Sequence, residues 1–452
     1  MIKIIATLRI TGLASKKMRA IKGNLMYDKN INNTVLDLIG IGFGPFNLGL
    51  AALLYKAKDF SYLFLEKKQS FEWHEGMLLN NSKLQVHYLK DLVSLIDPTS
   101  HFSFLCHLVE TNRIFQFLHR KEQSISREEF NNYYKWAANK IIHVNYDNEV
   151  NEIDYKDGIF IVKTQNKKIF YSKNIVLGTG TTPNILPNVE QYLGDACFHN
   201  AEYKSAKSKL NFKYKKIAIV GGGQSGAEVL DDILHLNNLP SEIDWISRRT
   251  NFHPLEDACF SNEFYSPSYT KYFFDLPLEV RKNKLKNLLL SSDGISIDIA
   301  NSIYNKIYDM KFVKCLPIKI NLLLRHSLQE MKLLNDKYSL KIINLDKNSI
   351  AIKKYDIVIF ATGYKCTIPQ FLSNLFPTIK GFEDFELNPD YSVKWLNPDN
   401  RIYIQNGLKH KFGIADANLS LAAWRNAVII NSILKKDIYN VNIDSPIFKI
   451  NF

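Results

Sequence analysis

Leu36-Asp37-Leu38-Ile39-Gly40-Ile41-Gly42-Phe43-Gly44-Pro45-Phe46-Asn47-Leu48-Gly49-Leu50 is the stretch on which the fold turns. Leu36 to Ile39 is mostly apolar and reads as a buried strand. The glycines at 40, 42 and 44 form a turn, and Leu48 to Tyr55 reads as a helix. Such a turn lets backbone approach a pyrophosphate, and the helix N-terminus offers N–H groups with a partial positive charge. The next strand, Ser61 to Leu65, ends in Glu66, about twenty residues on, where a dinucleotide fingerprint asks for an acid to hold a ribose hydroxyl. The usual third glycine is missing, and Pro45 follows Gly44 directly. A glycine turn alone fits any α/β protein. With strand, helix and acid in register, Gly40, Gly42, Gly44, Pro45, Asn47 and Glu66 read as a dinucleotide site.

A second fingerprint is Lys216-Ile-Ala-Ile-Val220-Gly221-Gly-Gly223-Gln224-Ser225-Gly226-Ala-Glu228, with all three glycines in place. The strand after it, Glu242 to Ser247, ends in Arg248-Arg249 instead of an acid. An arginine pair there suits the 2′-phosphate of NADPH, although such a pair can also be simply solvated. The first site, with Glu66, fits FAD; the pair implies hydride transfer from nicotinamide to flavin. Asn174 to Leu177 runs into Gly178-Thr179-Gly180, and a cousin recurs as Asp356 to Phe360 running into Ala361-Thr362-Gly363. These read as two crossings between nucleotide-binding units, with Ala361, Thr362 and Gly363 beside the cofactors. The expected fold is α/β, with two Rossmann-like domains, the second inserted into the first, and a small substrate-binding region. The expected boundaries are an FAD domain with the substrate region over 35–205 and 350–452, and an NADPH domain over 206–349. Residues 1–34 read as a disordered extension, rich in Lys and Arg, with Met26 as an alternative start.

The 452 residues allow two or three domains, and a formal charge of +13 is spread along the chain. No basic arm, RNA-binding signature or zinc-ligand spacing accompanies that charge, so nucleic acid and metal are not expected. A basic surface does suit anionic cofactors. The five cysteines are dispersed and no pair is separated by two residues, which argues for a reducing, cytoplasmic compartment. No apolar run reaches the length of a membrane span.

Between the fingerprints, Phe71-Glu-Trp73-His74-Glu-Gly-Met77 and Leu84-Gln85-Val-His87-Tyr-Leu-Lys90-Asp91 mix aromatics, amides and charges without a regular period. Such stretches are loops packed near a ligand, which puts Trp73 and His74 by the cofactor. Taken alone, His74 and His87 each read as hydrogen-bonded structural histidines. Phe102 to Leu108 and Arg127 to Lys140 read as helices, the second with Ser126 as N-cap of a capping box. Ile159 to Thr164 and Lys168 to Tyr171 read as a hairpin. Near the end, Gly413-Ile-Ala-Asp416-Ala-Asn418-Leu419-Ser420 leads into a helix through Leu434, capped by Asn418 or Asp416. That helix N-terminus, with Asn418 and Leu419, could face a reduced flavin, or simply be capped.

With these motifs in hand, the chain resembles the flavin-dependent N-hydroxylating monooxygenases of siderophore synthesis, the lysine N6-hydroxylase type above all. The resemblance runs from about Asp37 to about Leu434 through both fingerprints, the 71–77 and 84–93 stretches, Asp97-Pro-Thr-Ser100, Ala361-Thr-Gly-Tyr364 and Gly413 to Ser420. It implies that NADPH reduces FAD, that O2 is captured as a flavin hydroperoxide, and that a neutral primary amine attacks it. It also implies roles: Gln85 beside the flavin, Lys90 on the substrate carboxylate, Asn262 at the substrate and Arg248 on the 2′-phosphate. Asn262 matches the ornithine enzymes, whereas the absence of Asn from Ser292-Asp293-Gly294 points toward lysine. Ornithine, putrescine and cadaverine therefore stay open, and family members tend to be tetramers, so a homo-oligomer is implied. A disulfide reductase would need a close cysteine pair, which is missing. A non-catalytic flavin sensor would have no need of the second fingerprint.

Overall fold

The computed structural model describes residues 34–122 and 124–449. The extension and Met26 lie outside the described residues, except for Thr34. Two five-stranded parallel sheets organise the chain. The first runs in the order Ile402–Ile404, Ile175–Leu177, Leu38–Ile41, Tyr62–Leu65, Val144–Asn145. The second runs Cys197–His199, Ile357–Phe360, Lys216–Val220, Glu242–Ser247, Lys319–Leu324. Apart from the edge strands Val144–Asn145 and Lys319–Leu324, their strands are mostly buried apolar runs, as expected where both faces of a parallel sheet are covered. In each sheet the fingerprint strand is central and feeds its glycine turn at the carboxyl edge, where doubly wound sheets bind ligands.

Every strand of the second sheet lies between Thr182–Pro183 and Tyr364–Lys365, two short strands that pair antiparallel. This is a two-Rossmann fold with the second unit inserted in the first. The boundaries shift from the expected 206–349. Cys197–His199 and Ile357–Phe360 were expected in the first unit, but their parallel pairing with each other and with Lys216–Val220 puts them in the second. The inserted unit also carries an antiparallel meander, His326–Leu334, Lys337–Asn344 and Ile350–Tyr355, that its sequence did not announce.

Local corrections have simple causes. The first strand is Leu38–Ile41, and Leu36 instead pairs with Ser172 in a separate sheet built on the hairpin Ile159–Thr164 and Ile169–Ser172. The helix begins at Pro45, not Leu48, because proline fits the first helical position, where its missing N–H costs nothing. The two helices downstream are Phe104–Glu110 and Arg127–Ala138. Ser126 caps the second by accepting from Glu129 N. Among the described residues, no helix is long and apolar enough to cross a membrane, and no cluster of His, Cys, Asp and Glu is placed to hold a metal.

Candidate active site

The first glycine turn is held by its neighbours. Gly40 lies inside the strand, where an added Cβ would sit 2.2 Å from the Phe64 ring. Gly42 has φ +82°, and a Cβ there would strike the Gly178 carbonyl at 2.5 Å. The loop therefore needs glycine for both conformation and closeness. Asn47, fully buried, donates from Nδ2 to the carbonyls of Gly42 at 2.7 Å and Ile41 at 3.3 Å. The Glu66 carboxylate accepts from Phe43 N at 2.6 Å and from Lys68 N at 3.0 Å, which leaves it further lone pairs for a ribose.

Whether these residues suit a dinucleotide can be tested on the loop itself. Gly44 is the N-cap of Pro45–Leu54 with no side-chain acceptor, and a Cβ on it would meet nothing within 4 Å. The first-turn N–H groups are thus left for an outside anion. Asn47 Oδ1 is buried without a partner. The second turn repeats the design. Gly223 is an uncapped N-cap, and a Cβ there meets nothing within 4 Å. Gly226 has the opposite duty: its Cβ would come within 2.2 Å of the Gly221 carbonyl, so it lets helix and strand close up. Gln224 and Ser225 form the first turn of Gln224–Leu234. Both loops fit a pyrophosphate.

The two arginines after Ser247 separate. Arg249 donates from Nη1 to the Asp293 carbonyl at 2.8 Å. Arg248 is exposed, and its side chain has no polar partner among the described residues. At the crossings, Thr362 Oγ1 donates to the Asn184 carbonyl at 2.6 Å, and Asn184 N donates to the Gly363 carbonyl at 2.9 Å. Ala361 closes over Gly221, whose Cβ would lie 2.0 Å from the Ala361 carbonyl. The Trp73 ring meets Tyr134 edge-on at 5.2 Å and His74 at 4.9 Å. His74 has φ +50° and is solvent-exposed, with its ring against Trp73. Desolvation by the surrounding protein, with the nearby cations of Arg127 and Lys68, lowers its pKa to about 4.

Around Lys90 the structure gathers segments distant in sequence. Asp91, buried beneath it, accepts from the backbone N–H groups of Val93, Ser94 and Phe104 at 2.9, 2.6 and 2.7 Å and fixes the loop. Lys90 Nζ donates to Ser420 Oγ at 3.2 Å and lies 6.0 Å from the Tyr265 ring centre. Ser420 in turn is held by Asn418 Oδ1, which accepts from Ser420 N at 2.8 Å and Ser420 Oγ at 2.7 Å. Asn418 thus caps the short turn Leu419–Leu421 that enters the helix Ala422–Leu434. Asp416 does not cap that helix; it is buried and accepts from Gly407 N and Leu408 N. Asn262 is exposed and donates to Asp257 Oδ1 at 2.9 Å. Burial lowers the pKa of Lys90 and the Asp257 charge works against that shift. Gln85 is exposed and its side chain bonds nothing among the described residues. Asp257, Tyr265 and Ser420 were not foreseen as site residues. Only Ser420, two residues after an Asn that could cap, carried a local signal.

The model of the L-lysine 6-monooxygenase/L-ornithine 5-monooxygenase family matches residues 34–366. The chain belongs to that family. It is 35% identical over 419 residues to L-lysine N6-monooxygenase of Escherichia coli, covering 90% of this chain and 96% of that one. It is 32% identical over 424 residues to putrescine N-hydroxylase of Shewanella oneidensis, covering 90% and 82%. Among solved structures it is similar to an FAD-bound cadaverine monooxygenase of desferrioxamine biosynthesis from Erwinia amylovora, with TM-score 0.86 and 29% identity over 92% of this chain and 98% of that one. It is also similar to the Kutzneria ornithine N-hydroxylase with reduced FAD, NADP+ and L-ornithine, with TM-score 0.83 and 25% identity over 89% and 99%. This is a flavin-dependent N-monooxygenase of siderophore biosynthesis that uses FAD and NADPH.

Proposed function

We propose that this enzyme hydroxylates the terminal amine of L-lysine to N6-hydroxylysine, for a hydroxamate siderophore. The observation that supports it is Lys90. Its ammonium is half-buried, and among the described residues its only polar contact is the neutral Ser420 hydroxyl and no carboxylate lies in ion-pair range. A desolvated cation left in this way suits an incoming carboxylate and repels a diamine. Bound FAD, reduced by NADPH, supplies the activated oxygen. The chain's own residues do the rest. Glu66 and the first glycine turn would hold the FAD ribose and pyrophosphate, and Gly221 to Gly226 with Arg248 would hold NADPH. Lys90 anchors the substrate's carboxylate and so directs its far end. The Gln85 amide, which both donates and accepts, orients the groups at the oxygen. The attacking amine must be neutral, and a free lysine amine has a pKa near ~10.4, so turnover rises toward alkaline pH.

A second reading is a diamine substrate: Asp257 is close enough to act on Lys90, and an acid there suits the far ammonium of a diamine, although it also suits the α-ammonium of lysine. Hydroxylamine formed per NADPH, measured with lysine, ornithine, putrescine and cadaverine, decides. Lysine is expected to give the highest kcat/KM with the tightest coupling; a diamine or ornithine ahead of it overturns the proposal.

A further inference from the structure

A buried ion pair joins the inserted unit to the flavin unit at an informative place. Arg127 opens the helix Arg127–Ala138 of the first unit. Its guanidinium grips Glu228 with both ends, Nη1 to Oε2 at 3.0 Å and Nη2 to Oε1, and also donates to the Met77 carbonyl at 3.2 Å. The Arg127 side chain is 14% exposed and that of Glu228 2%. Glu228 stands one turn inside Gln224–Leu234, the helix whose uncapped N-terminus would hold the NADPH pyrophosphate. Gln224, the first residue of that helix, donates from Nε2 to Glu228 Oε1 at 2.8 Å and to Ser296 Oγ at 3.2 Å, and accepts from Ser296 N at 2.8 Å.

The chain of contacts runs from Arg127 through Glu228 to Gln224 and ends at the first turn of the cofactor helix. Beside it Asn81 Nδ2 of the first unit donates to Asp231 Oδ2 on the same helix at 3.1 Å, and the partly exposed Lys409 Nζ reaches Asp293 Oδ2 at 3.2 Å; neither is a bidentate pair. Met77 and Leu79 of the first unit enter the apolar core of the second, and Gly76 passes so close to Ala201 that a Cβ would lie 1.7 Å from its carbonyl. Apolar contact holds the units together but does not fix their angle; a bidentate guanidinium–carboxylate pair does. We propose that Arg127, acting through Glu228, is a positioning residue that sets the angle of the NADPH unit against the flavin unit, and that this angle governs hydride transfer and not NADPH affinity. Neither residue touches the reacting atoms; both act through Gln224 and the helix it opens.

The test uses the FAD-loaded enzyme and three variants: Glu228→Gln, the apolar pair Arg127→Met/Glu228→Leu, and Arg113→Ala, which removes an ion pair made with Glu129 inside the first unit. Anaerobic stopped-flow mixing with NADPH separates the dissociation constant from the limiting rate of flavin reduction. The first two variants are expected to lose roughly 10- to 100-fold in limiting rate with the dissociation constant changed less than about threefold, the scale on which small misplacements act. Hydrogen exchange without NADPH is expected to rise in 73–84 and 198–203 for Glu228→Gln and to stay at parent level there for Arg113→Ala. Glu228→Gln leaves the buried Arg127 charge unpaired, whereas the apolar pair leaves none and so keeps the fold. Reduction by that variant at the parent rate, or losses in rate and affinity of equal size, would show the pair to be structural and overturn the proposal.

Discussion

Lys90 Nζ and Ser420 Oγ, 330 residues apart in sequence, meet at 3.2 Å. The contact brings the loop after the first fingerprint against the turn before the last helix. Replacing the lysine by alanine removes a charge-assisted partner worth roughly 1.5–3 kcal/mol, or about 10- to 150-fold in KM for lysine. Flavin reduction by NADPH does not depend on that contact and is expected to change little. Steady-state kinetics beside anaerobic reduction checks both, and an unchanged KM removes Lys90 from the substrate site.

Arg248 and Arg249 are adjacent but have different duties. Arg249 is committed to the Asp293 carbonyl, whereas the Arg248 guanidinium is free among the described residues. Arg248→Ala is therefore expected to lower kcat/KM for NADPH by roughly 10- to 100-fold and to leave NADH nearly untouched, since NADH lacks the phosphate. Equal losses with both cofactors would move the reading of the phosphate elsewhere.

Gln85 has no hydrogen bond to lose within the described chain, so its replacement should leave stability alone. Gln85→Ala is expected to oxidise NADPH at a similar rate, release more H2O2 and make less hydroxylamine, because attack geometry tolerates little displacement. Product and peroxide are measured per NADPH on protein normalised by bound FAD. An unchanged ratio would leave Gln85 without a part in the chemistry.

His74 supplies a pH dependence of stability. Its pKa falls from 6.5 in the unfolded chain to about 4 in the folded one. Between those values the unfolded chain binds a proton that the folded chain refuses, so stability rises with pH from about 4 to 6.5 and is level above. Urea midpoints for the parent and His74→Gln are expected to agree above pH 6.5 and to diverge below it, the parent losing more. Parallel curves down to pH 4 would show that the histidine does not titrate in this way.

Much of this was legible because it is local. Glycine spacing, the strand that precedes it and the acid or arginine that follows are set within a few dozen residues, so both fingerprints and the order of the units could be read directly. Lys90 and Asn262 were readable as candidates only through a family resemblance, whereas Asn418 was read locally, as a helix cap. The partners that give Lys90 its context, Tyr265, Asp257 and Ser420, arrive from far along the chain, and no local pattern records such meetings. The Arg127–Glu228 pair was hidden for the same reason: each residue reads as an ordinary charge on its own helix. The unit boundaries went astray at Cys197–His199 and Ile357–Phe360 because a short buried strand looks alike in either sheet; only its hydrogen-bonded neighbours assign it.

The antiparallel pairing of Thr182–Pro183 with Tyr364–Lys365 has an engineering consequence. Strands paired in this way hold opposed Cα atoms only about 5 Å apart, so the chain leaves the flavin unit and comes back to it at nearly one point. Excising the stretch between them leaves two ends that a two-residue hairpin turn can join. The flavin unit is thus a candidate for expression as a miniature flavoprotein, reducible by dithionite but blind to NADPH, and the same seam can accept a different nicotinamide-binding module as a graft.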